Sequence, residues 1–120
     1  MLFYVHKNHN TALPMLSHVT KASSLKDRMI GLLRHKYLDA DHALWIVPCN
    51  SIQTFFMRFS IDVVFLNKHN TIVRLYKNLK PFRLTRIVSN AHSVLEMSQG
   101  CIDKHQLNLG DQLLFVEKSL

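Results

Sequence analysis

Residues 61–76 read IDVVFLNKHNTIVRLY, two apolar runs separated by the polar stretch Asn67-Lys68-His69-Asn70. Runs of β-branched and aromatic residues on either side of a short polar loop are typical of a β-hairpin. We therefore predict strands at 61–66 and 71–76. Asn70 suits the left-handed backbone conformation that closes such a loop, because asparagine tolerates a positive φ.

Outward from this hairpin, most of the chain has the pattern of short strands. Further strands are predicted at 2–7, 15–21, 43–48, 52–57, 93–97 and 112–117, and residues 77–86 are expected to be irregular. A leucine and methionine stripe predicts one main helix over about 24–36, and a single helical turn is expected at 101–106. The predicted fold class is α+β: one β-rich domain over 1–120, with a curled mixed or antiparallel sheet or a partly closed barrel.

Length and composition are those of an ordinary globular domain. The chain has 120 residues, of which 48% are hydrophobic and 19% charged, and this balance excludes a wholly disordered protein. No apolar run is long enough to span a bilayer and no export signal is recognised, so a cytoplasmic location is expected. Cys49 and Cys101 are then expected to be reduced and buried.

Asp62 is the most informative polar residue, because it is the single acid between residues 43 and 94. Strand alternation places it with Val64 and Leu66 on an apolar face, where its charge needs partners such as Arg58 or backbone N–H groups. Two interpretations stay open. Asp62 either pins the bend between two strands or presents an acceptor to a hydroxyl or amino group of a ligand.

Polar side chains that precede Asp62 predict a binding pocket. In extended geometry Cys49, Ser51 and Gln53 fall on one side of the chain. Convergent polar groups on a β scaffold are the usual form of a small-molecule site. The predicted ligand-binding residues are Cys49, Ser51, Gln53, Thr54, Met57, Arg58, Asp62 and Glu96.

Catalytic and metal chemistry have less support in the sequence. A nucleophile at Cys49 or Ser51 needs a base within hydrogen-bond reach, and no histidine is adjacent, so a hydrolase is a less favoured alternative. The eight histidines and two cysteines do not form the paired clusters of structural zinc, and the three glycines form no phosphate cradle. We predict no catalytic residue, no metal and no cofactor.

A basic stripe predicts a different function. Fifteen lysines and arginines against eight acids give a formal charge of +7. No acid occurs from residue 63 to residue 95, and five cations recur there at three-residue spacing: Arg74, Lys77, Lys80, Arg83 and Arg86. With Tyr76 and Phe82 among them, the stripe is typical of surfaces that bind nucleic acid or another polyanion, although a solvated loop explains the same spacing.

The run Cys-x-Ser-Ile-x-Thr-Phe-x-Met-Arg-Phe-x-Ile-Asp-Val-Val-Phe over residues 49–65 resembles the bacterial and archaeal family called domain of unknown function 192. Segments 24–33, 72–84, 94–100 and 109–115 extend the resemblance over about 23–116. It implies a compact β-rich fold with no established activity. Close relatives tend to have a histidine where this chain has Gln53, and glutamine cannot act as a general base.

The pocket and the resemblance together predict a non-enzymatic binding or accessory domain. Its partner would be a small polar ligand or a protein, with nucleic acid as the alternative through the basic stripe. The sequence does not define the oligomeric state.

Overall fold

A computed structural model describes residues 2–7, 13–23, 39–55 and 57–119. Within these ranges the strands are β1 Leu2–Lys7, β2 Leu16–Ala22, β3 His42–Ile46, β4 Ile61–Leu66, β5 Ile72–Leu79, β6 Ser93–Ser98 and β7 Leu113–Glu117. One short helix in the described residues, α1, spans Cys101–Lys104 between β6 and β7. The main helix predicted over about 24–36 lies outside the described residues.

The strands form one seven-stranded sheet in the order β5-β4-β6-β3-β2-β1-β7. Neighbouring strands are antiparallel except β2 and β3, which are parallel. The sheet curls until its two edge strands approach each other, where Thr71 forms a bridge with Gln112. Leu113 N also donates to Asn70 O at 2.9 Å across this closure. The sheet is a half-barrel, which confirms the curled β-rich part of the predicted fold and supports the α+β class only loosely.

Both faces of the sheet carry buried apolar side chains, because successive residues of a strand point to opposite sides. All seven strands contribute to one core, which includes Val5, Leu16, Val64 and Leu95, and we call this side the inner face. The outer face belongs to the strands around β4 and is packed against residues 49–55, 57–59 and 88–91. The second core explains why β4 is buried along its whole length.

The strand boundaries agree closely with the sequence predictions in most places. The loop of the predicted hairpin has Asn70 at φ 60°, which confirms the left-handed conformation expected there. β5 continues to Leu79, beyond its predicted end at residue 76. The strand predicted at 52–57 is wrong, since among its described residues a bridge is formed by Gln53 alone, to Leu84. That segment lies across the outer face instead of entering the sheet.

Candidate functional site

Asp62 is held by three backbone N–H donors that belong to two other elements. Its Oδ1 accepts from Asn78 N at 2.9 Å, and its Oδ2 accepts from Gly100 N at 3.1 Å and Ile102 N at 2.9 Å. Asn78 has φ 54° and lies at the register shift of β5 opposite Asp62, whereas Gly100 and Ile102 begin α1. The carboxylate is 2% exposed. These contacts tie a bulge and a helix start to β4, and they match the pinning interpretation more closely than the ligand-acceptor one.

The sheet separates Asp62 from other residues of the predicted pocket. Asp62 is paired with Met97, which belongs to the inner core, and directly opposed residues share a face. Glu96 is paired with Val63 of the outer core, where Met57 also packs. Glu96 is fully buried. A single recess that unites Asp62 with Met57 and Glu96 is therefore not formed, and a ligand site on the outer face has to be built without Asp62.

The polar residues between Asn50 and Phe55 bond chiefly to the backbone of a facing loop or of their own segment. Thr54 is 1% exposed; its hydroxyl donates to Lys80 O at 2.6 Å and accepts from Arg83 N at 2.9 Å. The Gln53 side chain accepts from Phe55 N at 2.7 Å. These contacts brace the segment against residues 80–85. Ligand binding by Gln53 and Thr54 stays a prediction.

The remaining residues of the predicted pocket lie closer to the surface. Arg58 is exposed and Ser51 is half-buried. The thiol of Cys49 donates to Ser51 O at 3.1 Å, and Cys49 also borders a surface cavity. Cys49 therefore belongs both to the predicted pocket and to a recess in the surface of the structure.

That recess is a cleft formed by three loops at one end of the β4–β6 pair. It consists of two adjoining cavities of about 290 Å³ and about 310 Å³, which share Ala91 and His92. Residues 48–50, 67–69 and 89–92 line them, and we call this feature the hairpin cleft. Sequence reasoning missed His69 and His92, because only the pairing of β4 with β6 brings their loops together.

Backbone hydrogen bonds fix the walls of the hairpin cleft. Cys49 N donates to His92 O at 2.9 Å, and His92 N donates to Leu66 O at 2.7 Å. On the opposite wall, the Asn67 side chain accepts from His69 N at 2.9 Å and Thr71 N at 3.0 Å. Fixed walls lower the ordering cost of binding a ligand, since less conformational freedom is lost.

The hairpin cleft is lined by hydrogen-bond donors and by groups that can be cationic. Lys68 supplies an ammonium, His69 and His92 supply imidazoles, and three asparagines with Ser89 supply neutral polar groups. No aspartate or glutamate is among the lining residues. A lining of this composition is chemically suited to anions, because ammonium and imidazolium groups donate charge-assisted hydrogen bonds to phosphate and carboxylate oxygens.

The structure divides the basic stripe into separate parts. The Arg74 guanidinium lies 5.6 Å from the centre of the Tyr76 ring. Lys77 pairs with Asp103 at 2.7 Å, and the hydrogen bond and charge of that carboxylate raise the pKa of Lys77. Lys80, Arg83 and Arg86 are exposed in the loop that follows β5. Polyanion binding by the basic stripe stays a prediction.

Several other features bear on the possible chemistry. Across the described ranges, no cluster of three or more histidine, cysteine or acidic residues could hold a metal ion. Cys49 and Cys101 are free thiols. The part of the chain that the structure describes contains no helix of sufficient length and apolarity to cross a membrane.

Comparison with known proteins agrees with the sequence resemblance. The family model described as DUF192, Uncharacterized ACR, COG1430, matches residues 4–115. No curated protein matches the sequence.

Two crystal structures share the fold. A protein of unknown function from Novosphingobium aromaticivorans DSM 12444 aligns with a TM-score of 0.71 and 14% identity, covering 81% of this chain and 74% of its own. A protein from Sinorhizobium meliloti 1021, described as a "putative transcription regulator", aligns with a TM-score of 0.78 and 18% identity, covering 96% and 94%. At these identities the likeness shows the fold alone.

Proposed function

Because this chain belongs to the uncharacterised family DUF192, whose description assigns no activity, we propose its function from the hairpin cleft: a non-enzymatic domain that binds small organic anions. The ligand class is a metabolite bearing phosphate or carboxylate groups. The single observation that carries the proposal is a recess lined by an ammonium, two imidazoles and several amides, with no carboxylate among its lining residues.

The size of the hairpin cleft supports a small ligand. Each of its two cavities has a volume near 300 Å³, at the lower end of the range typical of small-molecule sites. A ligand with two anionic groups would place one in each cavity, with His92 between them. Lys68 and His69 would contact the group on the hairpin side, and Asn50 would contact the other.

The contacts of Cys49 favour binding over nucleophilic catalysis. Its thiol donates to a backbone carbonyl, and a carbonyl does not take up a proton to generate a thiolate. Cys49 would then supply a small, polarisable wall of the hairpin cleft. Cys49 is thus a member of both the pocket predicted from the sequence and the hairpin cleft. Asp62 lies on the other side of the sheet and acts there as a structural anchor.

Isothermal titration calorimetry with pyrophosphate and with citrate tests the proposal. Removal of one charge-assisted hydrogen bond costs about 1.5–3 kcal/mol, so His92→Ala and Lys68→Ala should each weaken binding by about tenfold or more. His42→Ala is the matched control, because His42 is an exposed histidine at the opposite end of β3. Failure of both anions to bind, or equal binding by His92→Ala and His42→Ala, would contradict the proposal.

A further inference from the structure

The loop after β5 exposes apolar and cationic side chains together, and we propose that it docks on an anionic membrane surface. We call residues 80–87 the cationic apolar loop. Phe82, Leu84 and Ile87 are 70%, 70% and 72% exposed. The cations are the remaining members of the basic stripe: Lys80, Arg83 and Arg86.

Hydrogen bonds to residues 52–54 hold the backbone of the cationic apolar loop. Thr54 N donates to Arg83 O at 2.8 Å, and Phe82 N donates to Thr54 O at 2.9 Å. Thr85 is 6% exposed and is bonded through backbone and side chain to Ile52. Thr85 points inward, and its neighbours Leu84 and Arg86 are exposed on either side of it. The folded backbone of this loop therefore holds Phe82, Leu84 and Ile87 at the surface.

The charges of the cationic apolar loop are available to a partner. Among the described residues, no acid forms an ion pair with Lys80, Arg83 or Arg86. The Arg83 guanidinium makes long contacts, 3.5 Å and 3.4 Å, with the carbonyl oxygens of Pro81 and Phe82. No acid occurs in the sequence from residue 63 to residue 95. The loop thus presents a positive field with hydrocarbon at its centre.

Aliphatic side chains favour a lipid surface over nucleic acid as the occupant. Bases stack on aromatic rings, and Phe82 is the one aromatic residue of this loop, whereas Leu84 and Ile87 gain little from a base or a phosphate. In the interface of a bilayer, the same two side chains insert beside acyl chains while cations contact anionic headgroups. The apolar area of three side chains, on the order of 400 Å², is also smaller than the roughly 800 Å² per partner of a standard protein interface.

Vesicle co-sedimentation tests this proposal on the full chain. The probes are vesicles of phosphatidylcholine with an equal amount of phosphatidylglycerol, and vesicles of phosphatidylcholine alone. We expect partitioning into the anionic vesicles. The double variant Leu84→Ala/Ile87→Ala should lower the partition coefficient by about tenfold or more, because insertion of the removed methyl and methylene groups is lost. Each of Lys80→Gln, Arg83→Gln and Arg86→Gln should lower it by about fivefold.

A matched control separates this loop from exposed hydrophobicity in general. Leu13 and Leu109 are 80% and 63% exposed elsewhere on the surface, so Leu13→Ala/Leu109→Ala should bind vesicles as the parent does. Equal binding by the two double variants would overturn the proposal, as would binding that does not require phosphatidylglycerol. Binding of a labelled single-stranded oligonucleotide through the three cations, without vesicle binding, would assign the loop to nucleic acid instead.

Discussion

Replacement of Asp62 by asparagine should destabilise the fold strongly, although it changes the volume of the side chain very little. The amide keeps one oxygen, which can accept from Gly100 N and Ile102 N or from Asn78 N, but not from all three donors. The amide nitrogen then faces the N–H of Asn78, which loses its acceptor in a part-buried contact. An unsatisfied buried donor costs about 1–3 kcal/mol, and the two bonds that remain lose their charge assistance. We expect a loss of about 3 kcal/mol in the free energy of unfolding.

Urea denaturation followed by circular dichroism measures this loss. With a urea m value of about 1.5 kcal/mol/M, the midpoint of Asp62→Asn should fall by about 2 M. Asp103→Asn is the control, because it makes the same chemical change at an exposed side chain of α1 and removes only the surface pair with Lys77. If the midpoint of Asp62→Asn moves no further than that of Asp103→Asn, then the three hydrogen bonds do not anchor β5 and α1.

Two further predictions concern a buried hydroxyl and a half-buried imidazole. Thr54→Val should lower the free energy of unfolding by about 1–3 kcal/mol in the same urea assay, because Lys80 O and Arg83 N lose their partner, whereas Thr20→Val at an exposed position of β2 should not. Burial, and then the charge of Lys104, lower the pKa of His105 below 6.5, so the unfolded chain takes up its proton first on acidification. The stability that neutral His105 contributes is complete above pH 6.5 and is lost as the pH falls through the lowered pKa. Between pH 7.5 and pH 5, the melting temperature should therefore fall less steeply for His105→Gln than for the parent protein. Equal slopes of melting temperature against pH for the two proteins would refute this.

The sequence predicts the strands well where the signal is local. The hairpin around Asn70 and the burial of Asp62 both follow from alternation within a few residues, and the structure has both features. The strand predicted at 52–57 has the same apolar character, but its backbone bonds to residues 82–85, and Ile52 and Met57 pack on the outer face. Apolar periodicity identifies a buried segment without specifying whether that segment joins the sheet or lies across it.

The partners of the polar residues could not be predicted, because they come from distant parts of the chain. Asp62 was expected to bond near its own bend, whereas two of its donors lie 38 and 40 residues away at the start of α1. His69 and His92 line the same cavity only because of the register of β4 with β6. Pro48 before Cys49 and the asparagines at 67 and 70 around His69 indicate ordered turns. No local sequence pattern shows that these turns lie side by side in the fold.

Nuclear magnetic resonance titration of the ¹⁵N-labelled chain with pyrophosphate tests the central claim most directly. The account predicts saturable shifts of the backbone amides at 49–50, 67–69 and 89–92, with unchanged amides at Asn78, Gly100 and Ile102. Shifts confined to residues 80–87, or no saturable shift anywhere, would show that the hairpin cleft does not bind anions.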